Sequence, residues 1–269
     1  MRINNESSTG VQNTLSMLSS SRSKSLERLA TALRINRASD DAAGLGVSES
    51  LRSQIRDNQM SQRNANDGLG MLQIADSGTQ QITDSLQRMK ELALQSANGT
   101  YNATDRSAMQ KEYDALRGSI GQIAQSSTYN GQSLLTGGSS GVSFQVSGDA
   151  SGAGTINFQS PVDLSADLGL GDISSQGNAS SAMSSIDDAM KNVLGMRSSF
   201  GAAMNRLDST VSQLGNSISN ITDAESRIRD TDYAAETTKN TRDMILQKSS
   251  MAMAAQANQM SSGVLGLLQ

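Results

Sequence analysis

Stepping by seven from Ile186 meets Val193, Phe200, Leu207, Leu214, Ile221 and Ile228, with Met183, Met190, Arg197, Met204, Val211, Ile218 and Glu225 in the companion position. An apolar seam held this long, broken only by Arg197 and Glu225, requires a long helix packed along its length against other helices. A single proline in 269 residues, Pro161, leaves such helices uninterrupted, because proline removes a backbone donor and clashes with the preceding turn. The core these helices share must be thin. Only 36% of the residues are hydrophobic and 3% aromatic, with no tryptophan, too little for a thick globular interior.

The first half supplies partners for the seam. From Ala65 the series Leu69, Leu72, Ala75, Thr79, Ile82, Leu86, Met89 and Ala93 advances by threes and fours, as a one-sided helix demands. A break follows at "SANGTYNATDRS", where Asn98-Gly99 signals a turn and Thr104 with Asp105 can cap the next helix. That helix carries Met109, Tyr113, Leu116, Ile120 and Ile123. Three long antiparallel helices would satisfy these seams. Between the second and third, "VSFQVSG" and "TINFQSP" alternate apolar with polar residues around "DASGAG" and read as a β-hairpin. An isolated hairpin is marginal in water, so this one is expected to lie against the helices. Pro161 and "DLSADLGLGD" form the loop that returns the chain to the long helix.

Both ends are amphipathic helix candidates. Val11, Leu15, Leu18, Leu26, Leu29 and Leu33 form one stripe, interrupted where Arg22 falls in register. Near the other end Leu246, Met253, Met260 and Leu267 recur every seven residues, with Ala257 and Val264 beside them. Polar, acid-bearing joints, "INRASDDAAGLG" and "RDTDYAAET", separate these helices from the bundle. Acids there suit the first turn of a following helix, where the helix dipole favours negative charge. The expected fold class is therefore mainly α: a long antiparallel helical bundle or coiled coil with a small β-hairpin region and paired N- and C-terminal helices. The expected domains are 1–43 with 230–269, and 44–229 including the hairpin region at about 141–172. Both terminal stripes are narrow and padded with Ala and Ser. As a lone two-helix pair they would be weak, so they are expected to order fully only where neighbouring copies cover them.

The chain contains neither cysteine nor histidine. Disulfides, thiolate metal sites and the usual general base of nucleophilic hydrolases are thereby excluded, and no cofactor is expected. A net charge of −4 gives no support to nucleic-acid binding. No apolar run approaches the roughly 20 residues of a membrane span, and "MRINNESSTG" lacks the layout of a secretory signal. Asp40-Asp41 reads as helix-start chemistry, because no calcium-loop spacing surrounds it. The glycines of "GLGVSES" and "DGLGML" lack the spacing of a phosphate loop. The seam methionines read as flexible core filling.

The stretches "SKSLERLATALRINRASDDAAGLGVSESLRSQIR", "LQRMKELALQSANGT", "STYNGQSLL" and "ESRIRDTDYAAETTKNTRDMILQKSSMAMAAQANQMSSGVLGLLQ" closely resemble the terminal regions of bacterial flagellins, in the family's order. The likeness covers nearly all of residues 11 to 135 and 180 to 269. It implies a non-enzymatic filament subunit of minimal form, without large outer domains. Such a subunit polymerises with copies of itself, its terminal helices lining the filament core. It would leave the cell unfolded through the flagellar type III channel, work with an export chaperone, cap and hook-associated proteins, and reside outside the cell. By the same resemblance, the positions matching "LQRMKELALQ", namely Gln87, Arg88, Glu91, Leu92 and Gln95, with Glu112 on the adjacent helix, form a surface that packs between subunits. In monomers that surface is read by an innate-immune Toll-like receptor. Arg88 is foremost, since a guanidinium makes forked planar contacts that lysine cannot; Met89 and Lys90 stand where the family often has a β-branched residue and arginine. Two other readings are a hook-filament junction protein and a secreted monomeric adhesin or immune ligand. An enzyme would need a catalytic insertion, for which residues 135 to 180 leave no room.

Overall fold

The computed structural model describes residues 6–136, 142–147, 154–158 and 169–267, with the side chains of 6–8, 158, 258 and 260–267 left aside. Within these residues five helices follow one another: α1 (Glu6–Thr31), α2 (Ala42–Ala97), α3 (Ala103–Ser126), α4 (Gln176–Arg229) and α5 (Tyr233–Leu267). Four short strands, β1 (Thr128–Tyr129), β2 (Gln132–Ser133), β3 (Val142–Gln145) and β4 (Thr155–Phe158), lie between α3 and α4. The chain divides into two compact units: residues 1–54 with 220–269, and residues 55–219. The division falls inside α2 and α4, some ten residues from the joints where the sequence reading drew it.

The unit of residues 55–219 holds the long seam. Ile186, Val193, Phe200 and Leu207 are fully buried and Leu214 nearly so, while Ile221 and Ile228, in the other unit, are half-buried. The companion row differs from the expected one. Its buried members are Ala182, Ala189 and Met196, three residues beyond the first row. Met183, Met190, Met204 and Val211 pack half-buried beside it. Small side chains at the inner row allow close helix approach, and the bulkier methionines fill the flank. Arg197 stands on that flank, its Nε donating to Asp76 Oδ1 at 2.9 Å, both side chains about one-third exposed.

Paired residues fix the helix directions. Along α2 and α4, Asn58 meets Ser217, Asp76 meets Arg197 and Lys90 meets Asp187, so one number rises as the other falls and the helices are antiparallel. Arg88 with Glu112, and Arg106 with the Ser96 carbonyl, set α3 antiparallel to α2 in the same way. The cap of α3 is Asn102, not Thr104: its Oδ1 accepts from the N–H groups of Thr104 and Asp105, and Asp105 returns the bond to the Asn102 N–H. This reciprocal pair satisfies amides that no helical carbonyl can reach.

The β3–β4 hairpin forms as its alternation predicts, antiparallel with Phe144 opposite Ile156. Phe144, Val146 and Ile156 join the core of this unit, and Asn64 Nδ2 donates to the Gln145 carbonyl at 3.0 Å. A second hairpin, β1–β2, was not expected. Its turn is Asn130-Gly131, with φ of 49° and 78°, the two positive values that favour Asn-Gly in a two-residue connection. The signal stood in "STYNGQSLL", but flanking strands of two residues are too short to show alternation. Pro161 and residues 163–168 of the expected loop lie outside the described residues. From 169 the chain is held down: the Tyr113 hydroxyl donates to the Leu170 carbonyl at 2.5 Å, Ser96 Oγ donates to the Ile173 carbonyl, and the Ile173 N–H donates to Gln110.

Two glycines of α2 mark where other elements press on it. A Cβ on Gly68 would lie 3.0 Å from the Phe144 ring, and one on Gly78 would lie 2.5 Å from Ser127 Oγ and 2.9 Å from Leu135 Cδ1. Gly118, on α3, has open space around it. Gly78→Ala is therefore expected to lose about 1–3 kcal/mol through overpacking, despite alanine's better helix propensity. Gly118→Ala should gain about 0.5–1 kcal/mol. Urea-unfolding midpoints of the two variants should move in opposite directions, and a stabilised Gly78→Ala would show that the β1–β2 region does not press on α2.

Candidate functional site

In the unit of residues 1–54 and 220–269, α1 and α5 run side by side. Ser21 pairs with Asp243, Arg22 with Gln247, and Ser25 with Glu236, so the two helices are antiparallel. On α1 the inward residues are Val11, Leu15, Leu18, Arg22, Ser25 and Leu29, all half-buried except the fully buried Ser25. On α5 the half-buried Glu236, Asn240, Asp243, Gln247, Ser250, Ala254 and Ala257 are spaced alternately four and three as a helix seam requires, with Met244 half-buried beside them. Of this row only Ala257 stands beside the expected apolar series; the others are small or polar. Its legible signal was the four-three spacing of small and polar side chains.

The seam between the terminal helices is consequently hydrophilic over its middle. Arg28 Nη1 stands 3.8 Å from Glu236 Oε2. Arg22 Nε and Asn240 Oδ1 are buried without a partner in the structure, and buried polar groups left so cost stability instead of adding to it. Apolar bulk is displaced to the outside. Met17 is 71% exposed, Leu26 48%, Ile245 59%, Leu246 46%, Met251 48% and Met253 66%. Leu26, Leu246 and Met253, expected on the packed stripe, thus lie outside the α1–α5 seam, because the seam selects the face that matches Arg22 and Ser25. Leu33 is half-buried; Met260, Val264 and Leu267 lie outside the described side chains.

The joints at the inner ends of these helices are laced together. Leu33 and Asp230 form an antiparallel bridge. The Arg34 N–H donates to the Arg229 carbonyl at 2.6 Å, and the Thr231 N–H to the Ala32 carbonyl at 3.0 Å. Arg34 also donates through Nε and Nη2 to the Ile228 carbonyl, satisfying an acceptor at the end of α4. Ala32 takes a φ of 59° to make this corner. The joint acids act as helix-start residues. Asp41 Oδ1 accepts from the Gly44 N–H at 2.8 Å, and Asp232 Oδ1 accepts from Ala234 and Ala235. The Arg37 N–H, bonded to Asp40, holds that carboxyl below its ordinary value. Arg229, bonded to Glu49 at 2.8 Å, does the same there.

A second surface lies in the other unit. Arg88 donates from Nε and Nη2 to Glu112 Oε1 at 3.0 and 2.8 Å, and from Nη1 to Glu91 Oε2 at 2.9 Å. Glu112, then Glu91, raises the guanidinium pKa. Gln87 and Gln95 are also exposed, and Gln95 donates to the Tyr101 hydroxyl. Leu92 is not on this surface. It is 2% exposed and belongs to the core, whereas Leu94 is 65% exposed; two residues along a helix turn the side chain to the opposite face. Such exposed ion pairs add little stability. They fix the shape of a charged surface.

Among the described residues no three acidic side chains are grouped to hold a metal ion, and no helix is long and apolar enough to cross a membrane. Residues 3–140 match the bacterial flagellin N-terminal helical region, and residues 183–268 the bacterial flagellin C-terminal helical region. A flagellin of Halalkalibacterium halodurans is 42% identical over 249 residues, covering 91% of each chain. The flagellin of Bacillus subtilis is 37% identical over 309 residues and 100% of each chain. A flagellar filament 33 kDa core protein of Treponema phagedenis is 37% identical over 285 residues and 98% of each chain. Among solved structures, a putative flagellar hook-associated protein from Vibrio parahaemolyticus superimposes with a TM-score of 0.61 at 18% identity. That match covers 71% of this chain and 100% of the other, and is a likeness of fold alone.

Fold, surfaces and relatives define a structural, non-enzymatic protein built to assemble. The chain belongs to the bacterial flagellin family, and is a structural subunit of the flagellar filament. Only residues 141–182 separate the two matched regions, so no large outer domain is inserted between them.

Proposed function

We propose that copies of this chain polymerise by covering one another's open apolar side chains on α1 and α5. The observation that carries this is a pair of terminal helices with a polar seam between them and Met17, Leu26, Ile245, Leu246, Met251 and Met253 left outside it. Six large apolar side chains left exposed on one pair of helices mark that pair as an interaction face. In the filament the terminal helices line the core and the bundle surrounds them. The subunit reaches the outside of the cell unfolded, through the flagellar type III channel, with an export chaperone, and adds beneath a cap beyond the hook-associated proteins. The absence of cysteine suits that route, since no disulfide has to be opened in transit. Relatives named flagellin or flagellar filament core protein, at 37 to 42% identity, favour the bulk subunit over a junction protein. The exposed surface of Gln87, Arg88, Glu91, Gln95 and Glu112 packs between subunits, and on free monomer is available to an innate-immune Toll-like receptor.

The test is a double substitution, Ile245→Glu with Leu246→Glu. Both side chains are exposed, so the melting temperature of the monomer should move by no more than about 2 °C. Seeded polymerisation followed by electron microscopy should lose its filaments, because charges would be buried without partners. Filaments formed in normal yield by the double variant would overturn this assignment of the face.

A further inference from the structure

The chain has 14 methionines and no cysteine, so methionine is its only sulfur open to oxidation. Their placement is uneven. Met71, Met89, Met109 and Met196 are buried in the core of the unit of residues 55–219, at 8% exposure or less. Met183, Met190 and Met204 are half-covered beside it, and Met244, on α5, is half-buried. Met17, Met251 and Met253, at 71, 48 and 66% exposure, all stand outside the α1–α5 seam. Met60, on α2, is also 48% exposed, but its sulfur accepts from Arg63 Nη2 at 2.6 Å and it belongs to the other unit.

We infer that Met17, Met251 and Met253 form an oxidation-sensitive modification site that controls assembly: their conversion to sulfoxide blocks polymerisation of the monomer, and polymerisation shields them from conversion. The inference rests on the reading of α1 and α5 as the polymerising face. With hydrogen peroxide as oxidant, the sulfide sulfur takes one oxygen as an S–O bond forms and the O–O bond breaks. Sulfur is oxidised, peroxide is reduced, and water leaves. The product is polar and chiral where the side chain was flexible and apolar. An exposed sulfoxide costs the free monomer little. Burying three of them against a neighbouring copy, without hydrogen-bond partners, costs the interface heavily. The buried core methionines explain why the monomer should survive mild treatment folded.

The experiment treats wild-type monomer with dilute hydrogen peroxide, maps the sulfoxides by peptide mass spectrometry, and measures the critical concentration for seeded polymerisation. Oxidation should concentrate at Met17, Met251, Met253 and Met60 while circular dichroism stays unchanged, and the critical concentration should rise about tenfold or more. Treatment with both methionine sulfoxide reductases should restore it. The triple variant Met17→Leu, Met251→Leu, Met253→Leu should polymerise equally well before and after peroxide, and Met60→Leu alone should remain sensitive. A triple variant as sensitive as wild type would overturn the inference. Independently of any variant, wild-type filaments should oxidise at these three positions at least about tenfold more slowly than monomer, and equal rates would also overturn it. Untreated wild-type protein that never polymerises would instead remove the underlying reading, and this one with it.

Discussion

Full-length protein, seeded or salted out, is expected to form helical filaments under the electron microscope, and protein lacking residues 250–269 is expected to form none. The truncation removes Met251, Met253 and the last inward residues of α5, Ser250, Ala254 and Ala257. What it leaves of the α1–α5 seam is the polar stretch from Glu236 to Gln247, in which Arg22 Nε and Asn240 Oδ1 already lack partners. A seam of this kind has little apolar area to offset the entropy of ordering two helices, so the shortened pair should fray and its assembly face dissolve. Among the described residues, the core of the unit of residues 55–219 contains no residue of α5. Circular dichroism should therefore show most of the helical signal retained, with the loss confined to about the two terminal helices. Filaments formed by the truncated chain would sink this account of the ends.

The second large effect is expected at the opposite extreme of burial. Phe200→Ala should destabilise the bundle by about 3–5 kcal/mol, the usual range for an aromatic removed from a core. Phe200 is one of only three phenylalanines in the chain. It is fully buried on α4, with Met196 and Val193 before it and Leu207 after it on the same face, all at 0% exposure. A core this thin has few alternative side chains to collapse into the space, which places the cost toward the top of the range. Ile221→Ala, in the same seven-residue series but half-buried, should cost clearly less, about 1–2 kcal/mol on the lost transfer term alone. Urea unfolding monitored by circular dichroism would measure both. Equal losses at the two positions would mean that the seam is not graded in burial along α4.

Much of this architecture is legible in the residues. The register Ile186, Val193, Phe200, Leu207 reads as buried and is buried, because large apolar side chains repeated on one helical face have one low-energy destination. Phe144 and Ile156 alternate with polar neighbours and pair across a hairpin, for the analogous reason with a period of two. The proposed assembly face was less legible. In α5, Leu246 and Met253 recur with a seam's spacing yet stand open, while Glu236, Asp243 and Gln247 recur with the same spacing and turn toward α1. Leu92 matched a surface motif and lies in the core, its neighbour Leu94 exposed in its place. The Asn130-Gly131 hairpin was missed because its strands are only two residues each.

The sequence by itself determined that this chain makes long helices and that the row Ile186, Val193, Phe200 and Leu207 faces inward, since both follow from a single strong apolar stripe within one element. Tertiary structure alone decided which face of α5 meets α1. That helix carries apolar side chains on one set of positions and small polar ones on another, so its own periodicity permits either face. The choice was made by a partner more than 200 residues away, where Ser21, Arg22 and Ser25 supply the groups that Asp243, Gln247 and Glu236 require. Satisfying those polar groups left Met17, Leu26, Leu246, Met251 and Met253 outward, on the face proposed to meet the next subunit.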